Sequence, residues 1–63
     1  MRLDRIKVIT EIAKKDLRRN DLATKAGINP GTVSAVCNGR SCSDSTAMKI
    51  ATALGVTVEE LKA

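Results

Sequence analysis

Within the stretch Ala26-Gly27-Ile28-Asn29-Pro30, one helix has to stop and the next has to start almost at once. Gly27 stands where a helix ends most easily, because glycine enters the left-handed region without the steric cost of a Cβ. Asn29 is an N-cap residue, its short side chain able to accept from the free N–H groups of a new first turn. Pro30 then takes the first helical position, where its missing N–H is not needed. Two helices joined this tightly must cross on a shared core, with small residues where they approach. Ala23 and Gly27, four apart, meet that need.

The rest of the chain also reads as helix. In "RLDRIKVITEIAKK", Leu3, Ile6, Ile9, Ile12 and Ala13 recur at spacings of three and four, which predicts an amphipathic first helix with a basic outer face. Asp16 and Leu17 mark a short connection. "RRNDLATKAG" is the second helix, with Leu22, Ala23 and Ala26 turned inward. The third runs from Pro30 to about Cys37 and is stopped by Asn38-Gly39. Val33 and Val36 are spaced to anchor it, which turns Gly31, Ser34, Ala35 and Asn38 outward together. Ser43 caps a fourth helix, "DSTAMKIATAL", with Ala47, Ile50, Ala51 and Leu54 inside and Gly55 closing it. Thr57 with Glu60 three residues later is a capping box for a short fifth helix that turns Val58 and Leu61 inward. With no repeat or linker between them, these elements predict one compact all-α, five-helix domain over residues 1–63.

Composition narrows what such a domain does. A chain of 63 residues cannot easily enclose a substrate cavity. It has no histidine, its serines lack a base, and Cys37 and Cys42 lack partners at zinc-ligand spacing. We therefore expect no catalytic residues, no metal, no cofactor and no small-molecule ligand. The two cysteines fit a half-buried packing role plus a loop thiol better than a redox switch.

Charge points to a partner. Residues 1–40 hold nine basic and four acidic side chains, a net of +5, whereas residues 41–63 hold two basic and three acidic, a net of −1. That imbalance suggests a polyanion facing the N-terminal two-thirds. There is no Phe, Trp or Tyr on which to stack unpaired bases, so duplex DNA is favoured over single strands or RNA loops. No bilayer-spanning apolar run and no signal-peptide pattern is present, and we expect no membrane partner and a cytoplasmic location with reduced thiols.

The stretch "LRRNDLATKAGINPGTVSAVCNGR" resembles the helix-turn-helix core of phage-repressor-like regulators, the Cro-type or xenobiotic-response-element family. The family's Leu, polar pair, second polar pair, Leu-Ala and Gly fall on Leu17, Arg18-Arg19, Asn20-Asp21, Leu22-Ala23 and Gly27. A capped helix ending in Asn-Gly follows, from Asn29 to Asn38-Gly39. Downstream, "MKIATALGVTVEEL" is similar to the family's Ile-Ala-x-Ala-Leu-Gly-Val segment, so the resemblance covers about residues 3–61.

The resemblance implies a lambda-repressor-like fold with the helix-turn-helix at the second and third helices. It also implies a transcriptional regulator, a repressor, that binds double-stranded DNA as a homodimer paired through the fifth helix and its neighbours. Phosphate contacts would fall on Arg18, Arg19, Asn38, Gly39 and Arg40, and base-edge or cap positions on Asn29, Gly31, Thr32, Ser34 and Ala35. Three departures stand out. Arg18-Arg19 replaces the usual Ser or Thr followed by Gln, Cys42 stands where many members have proline, and the tip of the reading helix carries only small side chains. Two other classes fit the same residues: a protein-interaction module of antitoxin-like or accessory type, and the N-terminal DNA-binding fragment of a longer regulator.

Overall fold

The computed structural model describes residues 1–63 and contains five helices: α1 (Arg5–Lys14), α2 (Arg19–Ala26), α3 (Pro30–Cys37), α4 (Asp44–Leu54) and α5 (Val58–Leu61). An isolated antiparallel bridge pairs Leu3 with Lys62.

Each helix start except one is closed by a short polar side chain. Asp4 accepts from the N–H groups of Ile6 and Lys7, Asn29 from Gly31, Ser43 from Thr46, and Thr57 from Glu60. Glu60 returns the bond to the Thr57 N–H at 2.8 Å, completing the capping box expected there. Such a cap stabilises a helix by roughly 1 kcal/mol, a large share for elements as short as these.

The helix ends share one geometry. Just past α2, the Gly27 N–H donates to the Thr24 carbonyl at 3.2 Å and the Ile28 N–H reaches back to Ala23 at 2.9 Å. Gly27 sits at φ +72, the left-handed conformation that makes this folding-back possible. The same pair of bonds ends α1 through Asp16 and Leu17, α3 through Gly39 and Arg40, and α4 through Gly55 and Val56. Asp16 does so at φ +54, the only non-glycine residue in the chain with a positive φ. In three of the four stops the residue after the left-handed one is apolar. Leu17, Ile28 and Val56 each fold down against the core, so these three stops are also packing contacts.

Thirteen residues are buried and none of them is polar. Leu22, Val33, Ile50 and Leu61 are sealed from solvent, and α2 packs on both α3 and α4 while α1 packs on α3 and α5. Burying each such side chain contributes about 1.5–3 kcal/mol, the main stabilising contribution in so small a domain with both cysteines free. The inner residues expected on α4 are all buried, and so are Leu22 and Ala23, with Ala26 half-buried.

The first helix differs from expectation. Ile6 is 56% exposed and Ile9 37%, Ala13 is exposed, and Val8 fills the core position beside Ile12. Leu3 is buried, but it precedes the helix and is held by its bridge to Lys62. The cause is the start of the helix: Asp4 caps it, and the Asp4 N–H is tied to the Leu61 carbonyl at 2.7 Å. That anchor rotates the helix so that Val8 and Ile12, four apart, face inward. No helix is long and apolar enough to cross a membrane.

The shared helix stop predicts substitutions of opposite sign. Asp16→Gly relieves a left-handed penalty of about 1–2 kcal/mol against about 0.4–1 kcal/mol of added unfolded-state entropy, a net gain of roughly 0.5 kcal/mol. Gly27→Ala reverses both effects. A Cβ on Gly27 meets nothing within 4 Å, so its cost is purely one of backbone conformation. Thermal unfolding should show Asp16→Gly raising the midpoint and Gly27→Ala lowering it, by about 4–8 °C per kcal/mol. Shifts of the same sign would contradict the shared geometry.

Candidate nucleic-acid interface

Arg18 and Arg19 stand at the start of α2, both exposed. Arg18 occupies the cap position, but a guanidinium has no acceptor with which to bond the first-turn N–H groups. Asp21 supplies half a capping box by accepting from the Arg18 N–H at 3.3 Å. The first turn of α2 is therefore the one helix start in the chain without a side-chain cap. Its free N–H groups and the positive end of the helix dipole favour an anion, and two arginines flank them.

Helix α3 follows after the Gly27 turn. Val33 and Val36 are buried as their spacing predicts, and Cys37 is buried with them, deeper than the half-buried position expected. Gly31 and Asn38 are exposed, whereas Thr32, Ser34 and Ala35 are half-buried. The outward strip is thus narrower than the sequence implies, and its side chains are small enough for a close approach of the helix backbone to a surface. Asn29 is exposed, but its Oδ1 is committed to the Gly31 N–H at 2.7 Å, leaving the amide Nδ2 free. A Cβ on Gly31 would stand 3.0 Å from that oxygen. Gly31 therefore keeps the cap tight as well as keeping the tip bare.

The end of α3 departs from the other stops. Where α1, α2 and α4 fold an apolar residue onto the core, α3 turns out Arg40, which is exposed. The N–H groups of Asn38, Gly39 and Arg40 are all spent on the carbonyls of Ser34, Ala35 and Val36. Any anion contact here falls to the side chains of Asn38 and Arg40, not to the Asn38-Gly39 backbone.

The Arg19 charge at the start of α2 is felt at the Cys37 thiol, the last position of α3, where it opposes the larger effect of burial. Arg5, on α1, reaches the α3 stop, its Cδ 3.6 Å from where a Cβ on Gly39 would stand. No sequence signal connects residues so far apart. The three ion pairs, Lys14–Glu11, Lys15–Glu11 and Lys62–Glu59, all use lysine. Arg2, Arg5, Arg18, Arg19 and Arg40 have no acidic partner. An open groove of about 750 Å³ at the other end of α2, bordered by Lys25, Met48 and Lys49, contains none of the candidate DNA-contact residues.

Both thiols are free. Burial pushes the Cys37 thiol up, with Arg19 opposing, and burial likewise raises Cys42 against the positive charge at Met1 and with help from Asp44. Raised thiols are poor nucleophiles at neutral pH. Alkylation at pH 7 should therefore be slow at Cys42 and should reach Cys37 only on unfolding; rapid labelling of Cys37 in the folded protein would contradict its burial.

A family model described as a Cro/C1-type helix-turn-helix DNA-binding domain matches residues 3–62. Neither the curated proteins nor the solved structures yield a match. The matched span takes in all five helices, the α2–α3 turn and the arginines around it, apart from Arg2. The chain belongs to the Cro/C1-type helix-turn-helix DNA-binding domain family.

Proposed function

We propose that this chain is a sequence-specific regulator of transcription that binds double-stranded DNA through α2 and α3 and acts as a repressor. Residues 1–63 form its single DNA-binding domain. Helix α2 spans the backbone, with Arg18, Arg19 and the uncapped first turn on phosphates. Helix α3 enters the major groove with Gly31, Thr32, Ser34 and Ala35 toward base edges and the free amide of Asn29 at its start. Asn38 and Arg40 hold the backbone beyond its end. Repression requires only that the site be occupied. The protein works in the cytoplasm, where Cys37 and Cys42 stay reduced.

The observation that carries this reading is the state of the arginines. Arg18 and Arg19 open α2 and Arg40 follows α3; all three are exposed and have no acidic partner, while every ion pair in the chain is made by lysine. Arginine suits phosphate because its planar fork donates two parallel bonds. An arginine retained for stability would be expected to meet a carboxylate.

Specificity has a different source. Hydroxyls of Thr32 and Ser34 pair with more than one base, and the methyls of Thr32 and Ala35 can touch a thymine methyl. None makes the bidentate contact worth about 1–3 kcal/mol of discrimination. Sequence preference therefore rests on water bridges, on DNA shape and on half-site spacing in a homodimer. Helix α5 itself offers that dimer little apolar surface, since it buries Leu61, half-buries Val58 and exposes Glu59 and Glu60. Large exposed apolar side chains lie instead on α1, at Ile6 and Ile9, on α4 at Met48, and at Met1.

Replacing Arg18 and Arg19 together by alanine should weaken duplex binding at least tenfold at moderate salt and leave the unfolding midpoint within a few degrees of the parent. Fluorescence anisotropy with circular dichroism on the same samples measures both. Unchanged affinity in the folded double variant would remove α2 from the interface and with it the proposed docking.

A further inference from the structure

We propose that Arg5 is an additional DNA-backbone contact, extending the phosphate clamp at the end of α3 onto the first residue of α1. The inference rests on the DNA-binding reading above, and nothing in the helix-turn-helix itself includes residue 5.

Three observations place it there. First, the stem of Arg5 crosses the α3 stop: its Cδ lies 3.6 Å from the position a Cβ on Gly39 would take, and Gly39 stands between Asn38 and Arg40. The guanidinium begins one bond beyond that Cδ. Second, nothing in the protein uses its charge. Arg5 is exposed and forms no ion pair, and α1 has no acidic residue in its first turn. A cation at a helix N-terminus opposes the helix dipole, so this position does not serve the stability of α1.

Third, the frame that carries Arg5 is fixed to the loop that carries Arg40. The Cys42 N–H donates to the Met1 carbonyl at 2.8 Å, and the Met1 nitrogen donates to the Cys42 carbonyl at 3.0 Å. Asp4 then caps α1 immediately before Arg5. Arg5 and Arg40 are thus presented from two segments locked together, on either side of a turn whose own N–H groups are already spent. A phosphate beside that turn would meet two guanidinium groups and little backbone. The side chain of Arg5 adds reach along the duplex without adding any base contact, so its effect should be the same on every sequence.

The test is the salt dependence of binding to a labelled random-sequence duplex. Each phosphate contact contributes about 0.9 to the slope of log affinity against log salt. Arg5→Gln should lower that slope by about one unit and weaken binding at low salt. Arg5→Lys should keep the slope, and Lys25→Gln, a charge removed at the far end of α2, should leave it unchanged. Arg5→Ala provides a second neutral variant, and circular dichroism checks that each protein is folded. A slope for Arg5→Gln and Arg5→Ala equal to the parent's, with the Arg18/Arg19 double variant still reducing it, would overturn the role of Arg5 alone. A parent protein with no salt-dependent duplex binding would overturn the DNA-binding reading and this inference with it. An equal loss of slope in Lys25→Gln would show a general charge effect and also remove Arg5 from the interface.

Discussion

A left-handed residue past each of the first four helices, with two N–H groups folded back on the last turn, lets a 63-residue chain hold five helices. Such a stop does three things in three residues. It satisfies orphan carbonyls, reverses the chain and, through Leu17, Ile28 and Val56, drops an apolar side chain onto the core. Connections can then be short enough that little of the chain is left unburied and unpaired. The core that results contains no polar residue and no unsatisfied buried side-chain nitrogen or oxygen. Stability therefore depends on hydrophobic packing and on helix ends, with the lysine–carboxylate pairs on the surface adding little.

The same device shapes the functional face. The Gly27 stop sets α3 against α2, and the α3 stop ends in Arg40 where its counterparts end in an apolar residue. A motif that elsewhere closes the core here turns a charge outward, while the start of α2 lacks a side-chain cap and exposes Arg18 and Arg19. Between these ends lies a helix whose outer strip is small and half-buried. On the proposed docking, such an interface would grip the backbone firmly and read bases lightly, with affinity and specificity in different parts of the structure.

Local chemistry explains what could be read from the sequence and what could not. Asn29, Ser43 and Thr57 as caps, Gly27 and Gly55 as stops, and the inner face of α4 are all set within a few residues, and each appears in the structure where its neighbours imply it. The phase of α1 was not legible in that way. Ile6, Val8, Ile9 and Ile12 place apolar side chains on overlapping faces, and a tie between Asp4 and Leu61, near the other end of the chain, decides which of them is buried. The left-handed Asp16 is similarly hidden, because aspartate lacks glycine's signature for the geometry it adopts. At the candidate site, Arg18, Arg19 and Arg40 were visible as charges at helix boundaries. The commitment of the Asn38–Arg40 N–H groups belongs to the local Asn-Gly stop, whereas the approach of Arg5 to Gly39 is a tertiary fact, which no local pattern encodes.

The proposed duplex path runs across the start of α2, the outer strip of α3 and the α3 stop. The most direct measurement is a titration of isotopically labelled protein with duplex DNA, following the amide and side-chain NMR signals residue by residue. Perturbations should concentrate on Arg18, Arg19, Asn29, Gly31, Thr32, Ser34, Ala35, Asn38 and Arg40, while Lys25, Met48 and Lys49 around the far groove stay still. Perturbations centred on that far groove, or none anywhere at saturating duplex, would contradict it.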